Sequence, residues 1–224
     1  MIDSVVAPGI FSIVAASAVA KGHYDTGLIR YEAFQALPRG DQKRNQDWLQ
    51  QAIELSVSAV TNLALALELQ LKILHFQHDG NYPGGHDVST LGLRFPEPTL
   101  ETLRTQYVAL RTDPAKPELL TFSFKGGPTE NVPEGTWPGE ALTYDDAVKK
   151  IGPAYVRWRY IYEKFGETLD ISMSFEHLIL LVKTVNHAVG HHKGHTKVSV
   201  SSNKAGAAVV RRKPSPLAQA EPNR

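Results

Sequence analysis

The sequence predicts an all-α protein: an antiparallel bundle of about five or six helices interrupted by one long irregular insertion. Three observations carry this. Residues 46–78 hold neither Pro nor Gly, and their apolar side chains recur at three and four, the helical period. Shorter stretches with that period recur along the chain. Apart from TFSF at 121–124, which could pair as a short strand, nothing alternates convincingly as a strand does. The bulk numbers agree: 224 residues, 42% hydrophobic and 21% charged, are enough for one substantial core and short for two. With no cysteine there is no disulfide and no thiolate metal site.

The elements follow in order. Residues 4–21 read as a first apolar helix, ended by Lys21-Gly22. IFSIVAASAVA resembles a signal segment in apolarity, but MIDSVVAPG before it carries Asp3 and no Lys or Arg, so a core helix and a cytoplasmic protein are expected. No stretch offers about 18 uninterrupted apolar residues, and no membrane span is expected. Residues 23–44 are mixed and polar, with a turn at Pro38-Arg39-Gly40. The second helix spans about 46–78, capped by Asp41 or Asn45. It is apolar on nearly every side between 59 and 76, as a central helix is.

A Pro-Gly-Gly loop at 83–85 leads into GHDVSTL, in which Asp87 should cap a short helix reaching about Gly92. Thr99–Arg111 reads as the next helix. Residues 112–140 contain five prolines (114, 117, 128, 133, 138) and four glycines (126, 127, 135, 139), and form the irregular insertion. Thr143 and Asp146 have the spacing of a capping box. Gly152-Pro153 is expected to break that helix, Pro153 opening a fresh one, YVRWRYIYEKF, that runs to Gly166. Ser172 or Ser174 caps a last helix, FEHLILLVKTVNHAV, ended by Gly190 and Gly194. Residues 1–192 thus make one helical domain, and 193–224 a basic disordered tail. The tail holds Lys193, Lys197, Lys204, Arg211, Arg212, Lys213 and Arg224 against Glu221, or +6. The whole chain is +1, so the body is about −5. An acidic body argues against a broad nucleic-acid surface on the fold, whereas the tail could supply one.

Some polar residues do not fit a pure core. Thr61, Glu68, Lys72, His75 and Asp79 fall on one narrow stripe of the central helix, with Glu68 four residues before Lys72 in the favourable order for an ion pair. The stripe is either a thin solvent face, which is the expectation, or the wall of a polar cleft. Arg159, Tyr160 and Glu163 crowd a later helix. A buried Arg159 would need a carboxylate, and Glu68 or Asp87 could serve. His86 is expected to donate to a backbone carbonyl or to Glu68, fixing its loop on the central helix. His187, His191 and His195 lie at fours, but Gly190 and Gly194 intervene and no carboxylate follows nearby, so no metal site is read there. Phosphate-loop, nucleophile-elbow and zincin motifs are absent, and no cofactor is expected.

NLALALELQLKIL, GHDVSTL and the later WRYIYE, in that order, resemble a branch of the HEPN superfamily. The resemblance covers roughly residues 50–92 and 144–190. It implies an antiparallel helical bundle, a homodimer, a place in toxin–antitoxin or other defence systems, ribonuclease ancestry, and a nucleotidyltransferase-type antitoxin as partner. The family's nucleases carry Arg, four to six residues, then His. None of the nine histidines here has an Arg at that spacing. The expected function is therefore a non-catalytic or degenerate module that binds RNA, a nucleotide or a partner protein. The alternatives are a ribonuclease built on His86 and Arg159 as atypical catalytic residues, and a purely structural interaction module. Candidate ligand or network residues are Glu68, Lys72, His75, His86, Asp87, Arg159, Tyr160 and Glu163.

Overall fold

A computed structural model describes residues 13–38, 46–111, 121–126, 142–159, 169–193, 199–202 and 208–211. Among these the architecture is an all-α bundle of six helices: α1 (Ile13–Gln35), α2 (Gln46–Asp79), α3 (Val88–Leu93), α4 (Glu97–Ala109), α5 (Tyr144–Arg159) and α6 (Phe175–Lys193). Two short antiparallel strand pairs accompany them. β1 (Thr121–Gly126) pairs with β2 (Leu169–Ser174), and β3 (Ser199–Ser202) with β4 (Ala208–Arg211). The chain forms two compact units, Met1–Val189 and Gly190–Arg224.

α2 is the axis of the first unit. Leu63, Leu67, Leu71 and Leu74 are all fully buried, each worth about 1.5–3 kcal/mol relative to exposure. Over Gln50–Asp79 this helix has the length and composition of a membrane span. Its apolar side chains nevertheless form one core with Val88 and Leu91 of α3, Leu103 and Tyr107 of α4, Val148 and Ile151 of α5, and Phe175, Leu178 and Val182 of α6. α1 lies along α2. His23 Nδ1 meets Asn62 Oδ1 at 2.9 Å, and buried Gly27 sits where a Cβ would come within 2.6 Å of Leu63 Cγ. Tyr31 stacks on Phe175 at 4.8 Å, joining α1 to α6.

Several sequence expectations are corrected. Lys21-Gly22 does not end the first helix, which continues to Gln35. One glycine costs a helix about 1 kcal/mol, less than the packing of Gly27 and Tyr31 returns further along. Gly152-Pro153 does not divide α5. Gly152 is there because α3 passes so close that a Cβ would lie 2.7 Å from the Ser89 backbone nitrogen. The fourth helix starts at Glu97, with Pro98 in its first turn. Gly190 does not stop α6, which reaches Lys193. The tail read as disordered contains the β3–β4 pair.

Other expectations hold. Thr143 Oγ1 accepts from the Asp146 amide at 3.2 Å and donates to its carboxylate, so the Thr143 hydroxyl caps the start of α5. Ser174 caps α6, its Oγ accepting from the His177 amide at 3.3 Å. TFSF does pair, within β1. The rest of the insertion and the stretch expected to be helical from 160 to 166 lie outside the described residues.

The two α1 glycines give opposite predictions. Gly27→Ala should lower stability by about 1–3 kcal/mol through overpacking against Leu63. Gly22→Ala, where a Cβ meets nothing, should raise it by up to about 1 kcal/mol through helix propensity. Urea unfolding of both variants checks the pair, and equal effects of the same sign would contradict the packing described.

Candidate functional site: a buried carboxylate between the central helix and the His86 segment

The sequence singles out a polar stripe on α2, and the structure places it unexpectedly. It is not a thin solvent face: Glu68 is 4% exposed and His75 2%. Thr61 and Lys72 are half-buried, and only Asp79 at the helix end is exposed. A buried carboxylate is costly unless paired, and Glu68 is paired twice on one oxygen. Lys72 Nζ donates to Glu68 Oε1 at 2.8 Å, and His86 Nδ1 meets the same Oε1 at 2.8 Å. The carboxylate can only accept here, so His86 carries its proton on Nδ1. Lys72 lies one helical turn along α2, whereas His86 comes from the loop before α3. The Glu68 carboxylate therefore ties two elements together. The His86 side chain remains 57% exposed while its Nδ1 is held.

Asp87, next in sequence, works differently. Its Oδ1 accepts from the Ser89 amide at 3.0 Å and its Oδ2 from Thr90 Oγ1 at 2.6 Å. It is the N-cap of α3, as expected. Its burial raises the carboxyl pKa, but the hydrogen bonds from Thr90 and Ser89 prevail and hold it below the usual range.

The other end of α3 is satisfied from outside. A six-residue helix cannot pair its last carbonyls internally. The Leu91 carbonyl accepts from His75 Nε2 at 2.8 Å, and the Gly92 carbonyl from the Tyr144 hydroxyl at 3.2 Å. His75 also stacks on Phe95, ring centroids 3.9 Å apart. One turn further, His78 Nε2 meets Thr99 Oγ1 at 2.9 Å. The α2 histidines thus hold α3, the following turn and the start of α4. Burial depresses the His75 pKa, outweighing the hydrogen bond to Leu91 that favours the charged form.

Two pairs escaped sequence reasoning. Arg104 of α4 grips Asp145 of α5 with two parallel bonds, Nε–Oδ1 at 2.9 Å and Nη2–Oδ2 at 2.8 Å, and also pairs with Glu97. Inside the bundle, the Tyr107 hydroxyl meets His177 Nδ1 at 2.5 Å, joining α4 to α6. Burial pushes the tyrosine pKa up, which keeps its proton, and pushes His177 down to about 4, which keeps the imidazole neutral. Residues 41 and 70 apart in sequence leave no local signal of such pairing.

Of the remaining candidates, Arg159 closes α5 and only its backbone is described; Tyr160 and Glu163 lie outside the described residues. The expected pairing of Arg159 with Glu68 or Asp87 rests on that side chain and so lies outside the described residues as well. Among the described residues, no group of three or more His, Asp or Glu is arranged to hold a metal. Chemically, the cluster is a paired ionic latch with one exposed imidazole anchored by a buried acid. No protein-family model, curated protein or solved structure matches the chain.

The buried histidines set a pH dependence. His177 has a folded pKa near 4 against an ordinary 6.5, so the unfolded chain binds more protons between those values. Its stabilising contribution is complete above pH 6.5 and is lost as the pH falls toward 4; His75 acts in the same direction. The melting temperature should therefore fall on acidification through this window. His177→Gln should flatten the fall, and a wild-type curve that is level from pH 7 to 4.5 would contradict the account.

Proposed function

We propose that the chain is a HEPN-like helical module that binds rather than cleaves, with RNA or a nucleotide as its ligand class and a toxin–antitoxin or defence setting. The observation that carries this reading is the Glu68–His86 contact at 2.8 Å. Two of the three segments that bear the family resemblance, LELQLK and GHDVSTL, meet there in space. Their acidic residues are committed to holding the fold. Glu68 anchors Lys72 and His86, and Asp87 caps α3. Metal-independent RNA cleavage needs a cation on the phosphate and an imidazole in fixed register, and the Arg–His spacing that supplies both in the family is missing. The +6 balance of residues 193–224 supports electrostatic contact with a nucleic acid.

One observation favours the alternative of an atypical ribonuclease. An exposed imidazole whose Nδ1 is fixed by a buried carboxylate is the arrangement that orients a general base. A single experiment separates the two. Purified, nuclease-free protein is incubated with total RNA and tRNA in EDTA, beside His86→Ala and a chain truncated after residue 192. The proposal expects no cleavage, and an RNA shift on a native gel that weakens on truncation. Cleavage lost in a folded His86→Ala variant would establish the alternative.

A further inference from the structure

His86 differs from the other histidines that join elements. His23, His75, His78 and His177 commit a ring nitrogen to Asn62, the Leu91 carbonyl, Thr99 and Tyr107, and all four are buried or half-buried. His86 binds Glu68 through Nδ1, yet its side chain is 57% exposed. Its Nε2 makes no hydrogen bond to another described residue. Because the proton sits on Nδ1, Nε2 carries the lone pair, on the side of the ring away from the carboxylate. Approach to it is open. Gly84 and Gly85 precede His86, and a Cβ at either would meet nothing within 4 Å. The adjacent Asp87 carboxylate is engaged by Ser89 and Thr90 and does not compete for the ring. Lys72 shares the Glu68 oxygen with His86, so an ammonium lies within two hydrogen bonds of the imidazole.

An imidazole held in this way is an activated nucleophile. When Nε2 bonds to an electrophile the ring becomes cationic, and the buried Glu68 carboxylate already accepts from its Nδ1–H. A phosphoryl group suits the neighbourhood, because the Lys72 ammonium offsets the charge of its oxygens. We infer that His86 is a phosphoryl-acceptor site, modified on Nε2 by a phosphoramidate donor that comes from outside the fold. The Nε2 lone pair attacks phosphorus. The Nε2–P bond forms as the donor's P–N bond breaks, and the departing nitrogen keeps that electron pair and leaves as ammonia or an amine. Nothing is oxidised or reduced, and the Nδ1 proton stays on the ring against Glu68. A donor of this class fits because the product is itself a phosphoramidate, so the exchange is close to balanced. The sequence has no Gly-x-x-x-x-Gly-Lys loop to hold a nucleoside triphosphate as donor. The inference rests neither on RNA binding nor on the family resemblance.

The test incubates the full chain with potassium phosphoramidate at neutral pH. Phosphohistidine is located by tandem mass spectrometry and assigned to a ring nitrogen by phosphorus NMR. A synthetic peptide of residues 83–90 has the same neighbours without Glu68 and serves as the reference. The expected result is labelling of His86 on Nε2 alone, about tenfold faster than in the peptide. Glu68→Gln, checked for folding by circular dichroism, should bring the rate down to that of the peptide. A wild-type rate equal to the peptide's, labelling of His86 on Nδ1, or a folded Glu68→Gln variant as fast as wild type would overturn the proposal. The wild-type rate and isomer decide it even where Glu68→Gln does not fold.

Discussion

The structure turns on one carboxylate placed where a carboxylate is expensive. Glu68 sits on the central helix of the bundle, next to Leu67 and one turn from Leu71 and Ala64, all buried. Lys72 and His86 converge on one of its oxygens and offset the cost of burying it. That pairing fixes where the chain returns after α2. The Pro83-Gly84-Gly85 turn must bring His86 back 18 residues along the sequence to its partner. Gly85, with φ of +88°, takes a backbone conformation that suits glycine.

Much of the rest follows from that return. α3 is too short to persist alone, and each of its ends is closed by side chains. Asp87 serves the first, His75 and Tyr144 the last. With α3 pinned, α5 can pass close enough that Gly152 is needed opposite Ser89. Phe95 and Thr99 then meet His75 and His78, which sets the start of α4. The polar residues of α2 are connectors between elements, so the helix combines an apolar core with a line of directional contacts.

What could be read from the sequence was local. The uninterrupted period of α2, the Asp87 cap, the Thr143–Asp146 cap and the His86–Glu68 option all lie in short patterns. What could not be read was set by tertiary packing. Gly22 and Gly152 look like breaks because propensity is a local quantity. The helices run through them because neighbouring turns are held by the core. The α2 stripe looked like a solvent face because a helical wheel gives angles and not what covers them. Its half-buried lysine and 2% exposed histidine became intelligible only once α3 was in place. Tyr107–His177 and Arg104–Asp145 join distant helices and have no sequence pattern at all.

The Glu68–His86 contact holds α3 on the central helix. Native-state amide exchange measures this directly, comparing wild type with His86→Ala. Because α3 has its own cap but depends on this loop for placement, the account predicts that amides of Val88–Leu93 lose protection by a larger factor than those of Leu63–Leu74. Equal protection of Val88–Leu93 in the two proteins would contradict it, and would assign the position of α3 to apolar packing alone.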